Sequence, residues 1–282
     1  MRSNAQSLKE YGRGIIGGLI FSLPIVYTME MWWAGFILPP EKLLVNVLVT
    51  FLLLVGYNSF SGLRKDNSFW EVCRESVEEI GLAFVATFLF LLLIDRVEWS
   101  MSFYEIAGKT IVETMVVAIG ISVGTEQLGA DEENGSDASE SSSSAGTPEE
   151  REFIRMIVLS VCGAVLFIAP VASTDEILIM AIESSFFQQI GMVIVSIVLA
   201  FITLFFSDFK GTMNGETNLM KMISHLVTVY LIVLLVAGIF LWFYDNLSGY
   251  NLHVILGKMI ILGIPGTLGA SAGRLLLGSN QQ

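Results

Sequence analysis

The chain has 282 residues and a net charge of −12, yet it is 54% hydrophobic and only 15% charged, against about 25% charged in an ordinary soluble domain. That balance excludes a nucleic-acid binder, which needs basic surface, and an intrinsically disordered chain, which needs low hydrophobicity. An ordinary soluble enzyme is disfavoured by the apolar runs, which are long enough to cross a bilayer.

A membrane-crossing helix takes about 20 mostly apolar residues. Eight such stretches follow one another: 14–37, 43–60, 77–95, 103–125, 154–181, 187–207, 223–244 and 254–277. Backbone polar groups in lipid must bond within their own segment, so each stretch is expected to be a helix. The first follows Arg2, Lys9 and Arg13 and lacks a small-residue cleavage site, so it is expected to stay rather than be removed as a leader. With eight spans and a cytoplasmic start, eleven Lys and Arg fall on the cytoplasmic side and only Lys42 and Arg96 on the other, while Lys109 and Lys258 lie within spans. The positive-inside rule then puts both termini in the cytoplasm of a multi-pass cell-membrane protein. Trp32, Trp33, Trp70 and Trp99 fall near the expected interfaces, where belt aromatics sit. Glu75, Glu78 and Glu79 read as the solvated start of the third span, and Asn58 and Ser59 as the end of the second. Cys73 and Cys162 have no metal-ligand spacing and read as small apolar residues.

The negative charge is concentrated between spans four and five. From Glu126 to Glu150 there are eight acidic residues and no basic one, which leaves 19 acids against 15 bases elsewhere. Residues 129–149 are acidic, Ser-rich and low in complexity, a composition that cannot bury a core. The organisation expected is a first four-helix transmembrane repeat (1–128), a disordered acidic cytoplasmic linker (129–150) and a second four-helix repeat (151–282).

The two halves carry matched residues. Gly17, Phe21, Pro24, Thr28 and Glu30 recur 146 positions later as Gly163, Phe167, Pro170, Thr174 and Glu176. Gly108, Lys109, Ile111, Gly120, Ser122 and Gly124 recur 149 positions later as Gly257, Lys258, Ile260, Gly269, Ser271 and Gly273, and Asp95 and Asp245 both close an apolar run. Each half has an even number of spans, so the repeats are expected to be parallel. The fold class is all-α: a polytopic membrane protein of about eight transmembrane helices in two parallel four-helix repeats.

Charges inside spans are costly and mark pairs, water or function. Glu30 and Glu176 are the candidate ion or proton ligands, with Thr28, Thr174, Asp175 and Glu113 beside them. Lys109 and Lys258 come to similar depth and are expected to pair with Glu30 and Glu176 as counter-charges. Pro24 and Pro170 are expected to kink their helices and free backbone carbonyls. Oxygen ligands with one carboxylate suit a proton, Na⁺ or a hard divalent cation. The metal, if any, is left open, and no cofactor is expected. Gly120-xxx-Gly124 and Gly269-xxx-Gly273 read as close helix contacts.

The twin P-xxx-T-x-E spans, with Gly-Lys opening spans four and eight, are similar to a family of prokaryotic integral membrane proteins of unknown function. That resemblance implies multi-span architecture and no particular activity. The residues themselves point to a cation transport protein, an ion channel or proton-coupled carrier, rather than an enzyme. Its partners would be the lipid bilayer and small cations or protons, with no nucleic acid, and a homo-oligomer is compatible with the sequence. The alternative is a non-transporting sensor or scaffold whose buried pairs are structural. A lipid-modifying enzyme fits least.

Overall fold

A computed structural model describes residue 18 and residues 28–61, 68–129, 148–208 and 219–278. Pro24, the first span before Thr28 (residue 18 apart) and most of the acidic linker lie outside the described residues. Among the described residues the regular structure is helical throughout: α1 (Met29–Ile37), α2 (Pro40–Ser61), α3 (Phe69–Leu93), α4 (Phe103–Gly129), α5 (Pro148–Ala172), α6 (Glu176–Glu183), α7 (Phe186–Asp208), α8 (Leu219–Phe243) and α9 (Leu252–Gly278).

Helix starts follow from local side chains. The Glu105 N–H of α4 bonds Ser102 Oγ at 3.2 Å, and the Val254 N–H of α9 bonds Asn251 Oδ1 at 3.0 Å, so each helix has an N-cap that takes a donor the helix leaves unpaired. At the head of α7, Ser185 N–H donates to Gln188 Oε1 at 2.7 Å and Gln188 N–H donates back to Ser185 Oγ at 3.4 Å, a reciprocal capping box.

Among the described residues six helices are long and apolar enough to cross a bilayer: Pro40–Phe60, Phe69–Leu93, Phe103–Gly124, Phe153–Ala172, Ile223–Phe243 and Leu252–Ser271, each of 20 residues or more with mean hydropathy of 1.6 to 2.7. Twenty residues at about 1.5 Å rise span about 30 Å, the thickness of the hydrocarbon layer. A shorter apolar helix runs Phe186–Ile202.

Side chains are distributed opposite to those of a soluble protein. On α2, Leu44, Leu48 and Leu52 are exposed while Asn46, Thr50 and Asn58 are buried. On α8, Val227, Leu231, Leu235 and Ile239 form an exposed stripe. Apolar faces turned outward over several helices need an apolar solvent, and lipid supplies it.

The chain divides into two compact units, Met1–Glu152 and Phe153–Gln282. In the first, α4 is the central helix, with α1, α2 and α3 packed on it; 83% of its apolar window is buried, against 22% for α3. In the second, α6, α7 and α8 pack on α9. Glycines permit the closest crossings. A Cβ on Gly108 would fall on the Gly35 carbonyl oxygen. A Cβ on Gly163 of α5 would fall on the Gly269 carbonyl oxygen of α9.

The expected fifth span is two helices. α5 ends at Ala172 and α6 starts at Glu176. Pro170 has no N–H to bond the turn before it, and the chain leaves the helix two residues later. Ser173 Oγ donates to Pro170 O at 2.8 Å and Thr174 Oγ1 to Val171 O at 2.9 Å. These hydroxyls finish the helix, so Pro170 marks a break, where a kink was expected. α1 likewise starts after an extended Thr28 (φ −87°, ψ 115°).

Candidate functional site

Lys109 and Lys258 are both buried, the latter 1% exposed. Neither forms the expected ion pair with Glu30 or Glu176. Lys109 Nζ bonds Glu105 Oε1 at 2.7 Å, Arg96 O at 3.2 Å and Met101 Sδ at 3.4 Å. Lys258 Nζ donates to Asn246 O at 2.9 Å and lies 3.7 Å from the centre of the Tyr250 ring. The reason is directional. Helical side chains lean toward the N-terminus of their helix and cover the preceding turn. Each lysine therefore reaches back toward the loop before its helix.

That loop is the capped end of the previous helix. Asp95 and Asp245 adopt positive φ, 60° and 62°. Arg96 N–H bonds Leu91 O at 2.9 Å and Asp95 N–H bonds Leu92 O at 3.3 Å; Asn246 N–H bonds Leu241 O at 2.8 Å and Asp245 N–H bonds Trp242 O at 3.1 Å. Both are Schellman ends. Each lysine takes the carbonyl of the residue just after the left-handed Asp. In the second unit Asn246 Nδ2 also donates to Ala172 O at 3.0 Å, which ties the end of α5 to the end of α8. These lysines fasten helix ends.

The predicted acids are placed differently from one another. Glu30 is half-buried in the first turn of α1, and Glu176 is exposed in the first turn of α6. Asp175 is the exposed N-cap of α6 and acts on Lys258 electrostatically without an ion-pair contact. Thr174 spends its hydroxyl on Val171 O. Glu113 is fully buried in α4, and neither of its carboxyl oxygens has a hydrogen-bond partner among the described residues. It sits one turn beyond Lys109, but the lysine points the other way, to Glu105.

A buried polar network escaped the sequence reading. Asn58 Nδ2 on α2 donates to Glu79 Oε2 on α3 at 2.8 Å and to Ser76 Oγ at 3.2 Å. Ser122 Oγ on α4 donates to the same Glu79 oxygen at 2.7 Å. Glu79 is therefore no solvated helix start; three helices meet on its carboxyl. The signal was present as periodicity: Val72, Glu75/Ser76, Glu79, Ala83, Thr87 and Leu91 form one buried face of α3, while Glu78 is turned outward toward Arg74.

Nine residues separate Glu113 from Ser122, about 13.5 Å along α4 and half a turn around it. Glu113 and the Glu79 network are thus two sites on opposite faces of one helix. Among the described residues no group of three His, Cys, Asp or Glu side chains gathers to hold a metal ion.

Residues 10–277 match a family whose description reads "Putative integral membrane protein (DUF2391)". The chain belongs to this family. Membership covers both units, and it agrees with the outward apolar faces and the six long apolar helices. As a member of the DUF2391 family the protein is an integral membrane protein. No curated protein and no solved structure matches it.

Proposed function

We propose that the protein moves small cations across the membrane, as a channel or a proton-coupled carrier. One observation carries this reading: the carboxyl of Glu113, 0% exposed inside the central helix of the first unit and without a hydrogen-bond partner among the described residues. A carboxylate at that depth is expensive unless a positive charge joins it, and intramembrane acids of this kind mark ion and proton pathways. The carboxyl of Glu79, reached by donors from two neighbouring helices, is a separate buried acid at the opposite face of α4. Glu30, Glu176 and Asp175 stand at helix starts and take a peripheral part. The test is ion flux in proteoliposomes under proton, Na⁺, K⁺ and Ca²⁺ gradients, for wild type and Glu113→Gln. Equal flux in both, or none in wild type, defeats the proposal.

The same reading takes the eight stretches as two four-helix repeats, with cytoplasmic termini, in the cell membrane, and without covalent catalysis. Helix limits support the repeat: Met29–Ile37 and Glu176–Glu183 end 146 positions apart, Phe69–Leu93 and Leu219–Phe243 are offset by 150, and Phe103–Gly129 and Leu252–Gly278 by 149. A second reading is a non-transporting scaffold. What favours it is the use of both buried lysines as helix-end fasteners.

A further inference from the structure

We infer that the ion taken by Glu113 is the proton and not a metal cation. This rests on the transport reading and names its substrate class. Metal cations such as Na⁺ or Ca²⁺ collect several oxygen ligands, six to eight in the case of Ca²⁺. Among the described residues neither Glu113 carboxyl oxygen has a hydrogen-bond partner. Its neighbours along α4, Val112, Met115, Val116 and Val117, are buried and apolar. The two nearest hydroxyls on the same helix donate to backbone and not to the Glu113 carboxyl: Thr110 Oγ1 to Ile106 O at 2.8 Å and Thr114 Oγ1 to Thr110 O at 2.6 Å. The nearest fixed cation along the helix, Lys109, is held by Glu105 and Arg96 O. A proton needs only the carboxyl itself.

The Glu79 site points the same way by different means. Its Oε2 receives an N–H from Asn58 and an O–H from Ser122. Both donors turn the positive ends of their dipoles at that oxygen, so its charge is met from within the protein and a metal ion has little to gain there. Among the described residues neither carboxyl gathers further acidic, His or Cys side chains into a metal shell. No metal cluster among the described residues offers an alternative. The matched position in the second half is Leu262, also fully buried, so a neutral side chain serves the packing there; a Glu113 carrying its proton is likewise neutral.

The experiment uses the full chain in liposomes and reads two signals. Infrared spectroscopy detects the C=O stretch of a protonated buried carboxyl, and flux assays compare proton with metal gradients. Expected are a carboxyl band present in wild type, lost in Glu113→Gln, retained in Glu113→Asp, and unmoved by Na⁺, K⁺ or Ca²⁺ at fixed pH, with proton flux at least tenfold lower in Glu113→Gln. The metal titration is made on wild type, so it stands even where a variant fails to fold. Displacement of the band by a metal cation, or absence of any Glu113-dependent band, overturns the inference. Metal flux that falls in Glu113→Gln sinks the inference and leaves transport standing. A metal-insensitive Glu113 band with no flux under any gradient does the reverse.

Discussion

Gly163→Ala tests whether α5 and α9 meet backbone to backbone. An added Cβ lies on the Gly269 carbonyl oxygen, 2.8 Å from Gly269 C and 3.2 Å from Ala270 Cα. Ordinary carbon contacts start near 3.5 Å, so the helices must part by at least about 0.7 Å. A gap of that size forfeits roughly a quarter of the attraction at each contact it opens. The obstacle is backbone, which cannot turn aside as a side chain can. Overpacking of this kind costs about 1–3 kcal/mol, and an apparent Tm lower by about 2–12 °C follows from the usual scaling. Gly191→Ala is the control. Nothing lies within 4 Å of its added Cβ, and alanine improves a helix interior by about 0.5–1 kcal/mol. Thermal unfolding of purified protein in one detergent compares the two. If Gly163→Ala is as stable as Gly191→Ala, the close crossing is wrong.

Three further outcomes follow from the same contacts. Glu79→Gln keeps an acceptor for Asn58 and Ser122 and should change Tm little, whereas Glu79→Leu strands both donors and should cost about 1–3 kcal/mol for each; equal melting would remove the network from the account. Lys258→Met leaves Asn246 O without its donor and should destabilise by about 1–3 kcal/mol, the relief from burying no charge offsetting part of a larger loss; a melting point at or above wild type would show the lysine to be a cost. Asp245→Gly should be tolerated and Asp245→Val should lose about 1–3 kcal/mol, because φ is 62° there and a β-branched residue is strained at positive φ; a stable valine variant would refute the Schellman end.

The helical class and the membrane were legible because length and hydropathy are local properties. The helix ends at Asp95 and Asp245 were visible as matched residues, although their left-handed geometry was not. What sequence spacing misjudged was direction. Equal depth suggested that Lys109 would meet Glu30 and Lys258 would meet Glu176. Depth ignores the lean of helical side chains, which sends both lysines backward to Arg96 O and Asn246 O. Thr174 beside Pro170 reads from sequence as a ligand, but a helix losing a backbone bond recruits the nearest hydroxyl first, and Thr174 Oγ1 donates to Val171 O. Glu79 was hidden among three acids, and only its phase against Ser76, Ala83 and Thr87 separates it from Glu78.

Under the proposed repeat, architecture and activity fall on different residues. Residues present in both halves, the lysines and the closing aspartates, hold helix ends together in each unit. The lysine partners have even been exchanged: Met101 and Glu105 stand where the second half has Tyr250 and Val254, and a ring replaces a thioether and a carboxylate. The buried acids occur once. Glu79 meets Val229 and Glu113 meets Leu262 at the matched positions, both buried and apolar. Under the proposed repeat, Glu113→Leu should copy the second half, keep or raise Tm, and abolish flux. The converse variant, Leu262→Glu, buries an acid where no path has been built and should cost several kcal/mol. If Glu113→Leu unfolds the protein, the carboxyl is structural, and its burial says nothing about transport.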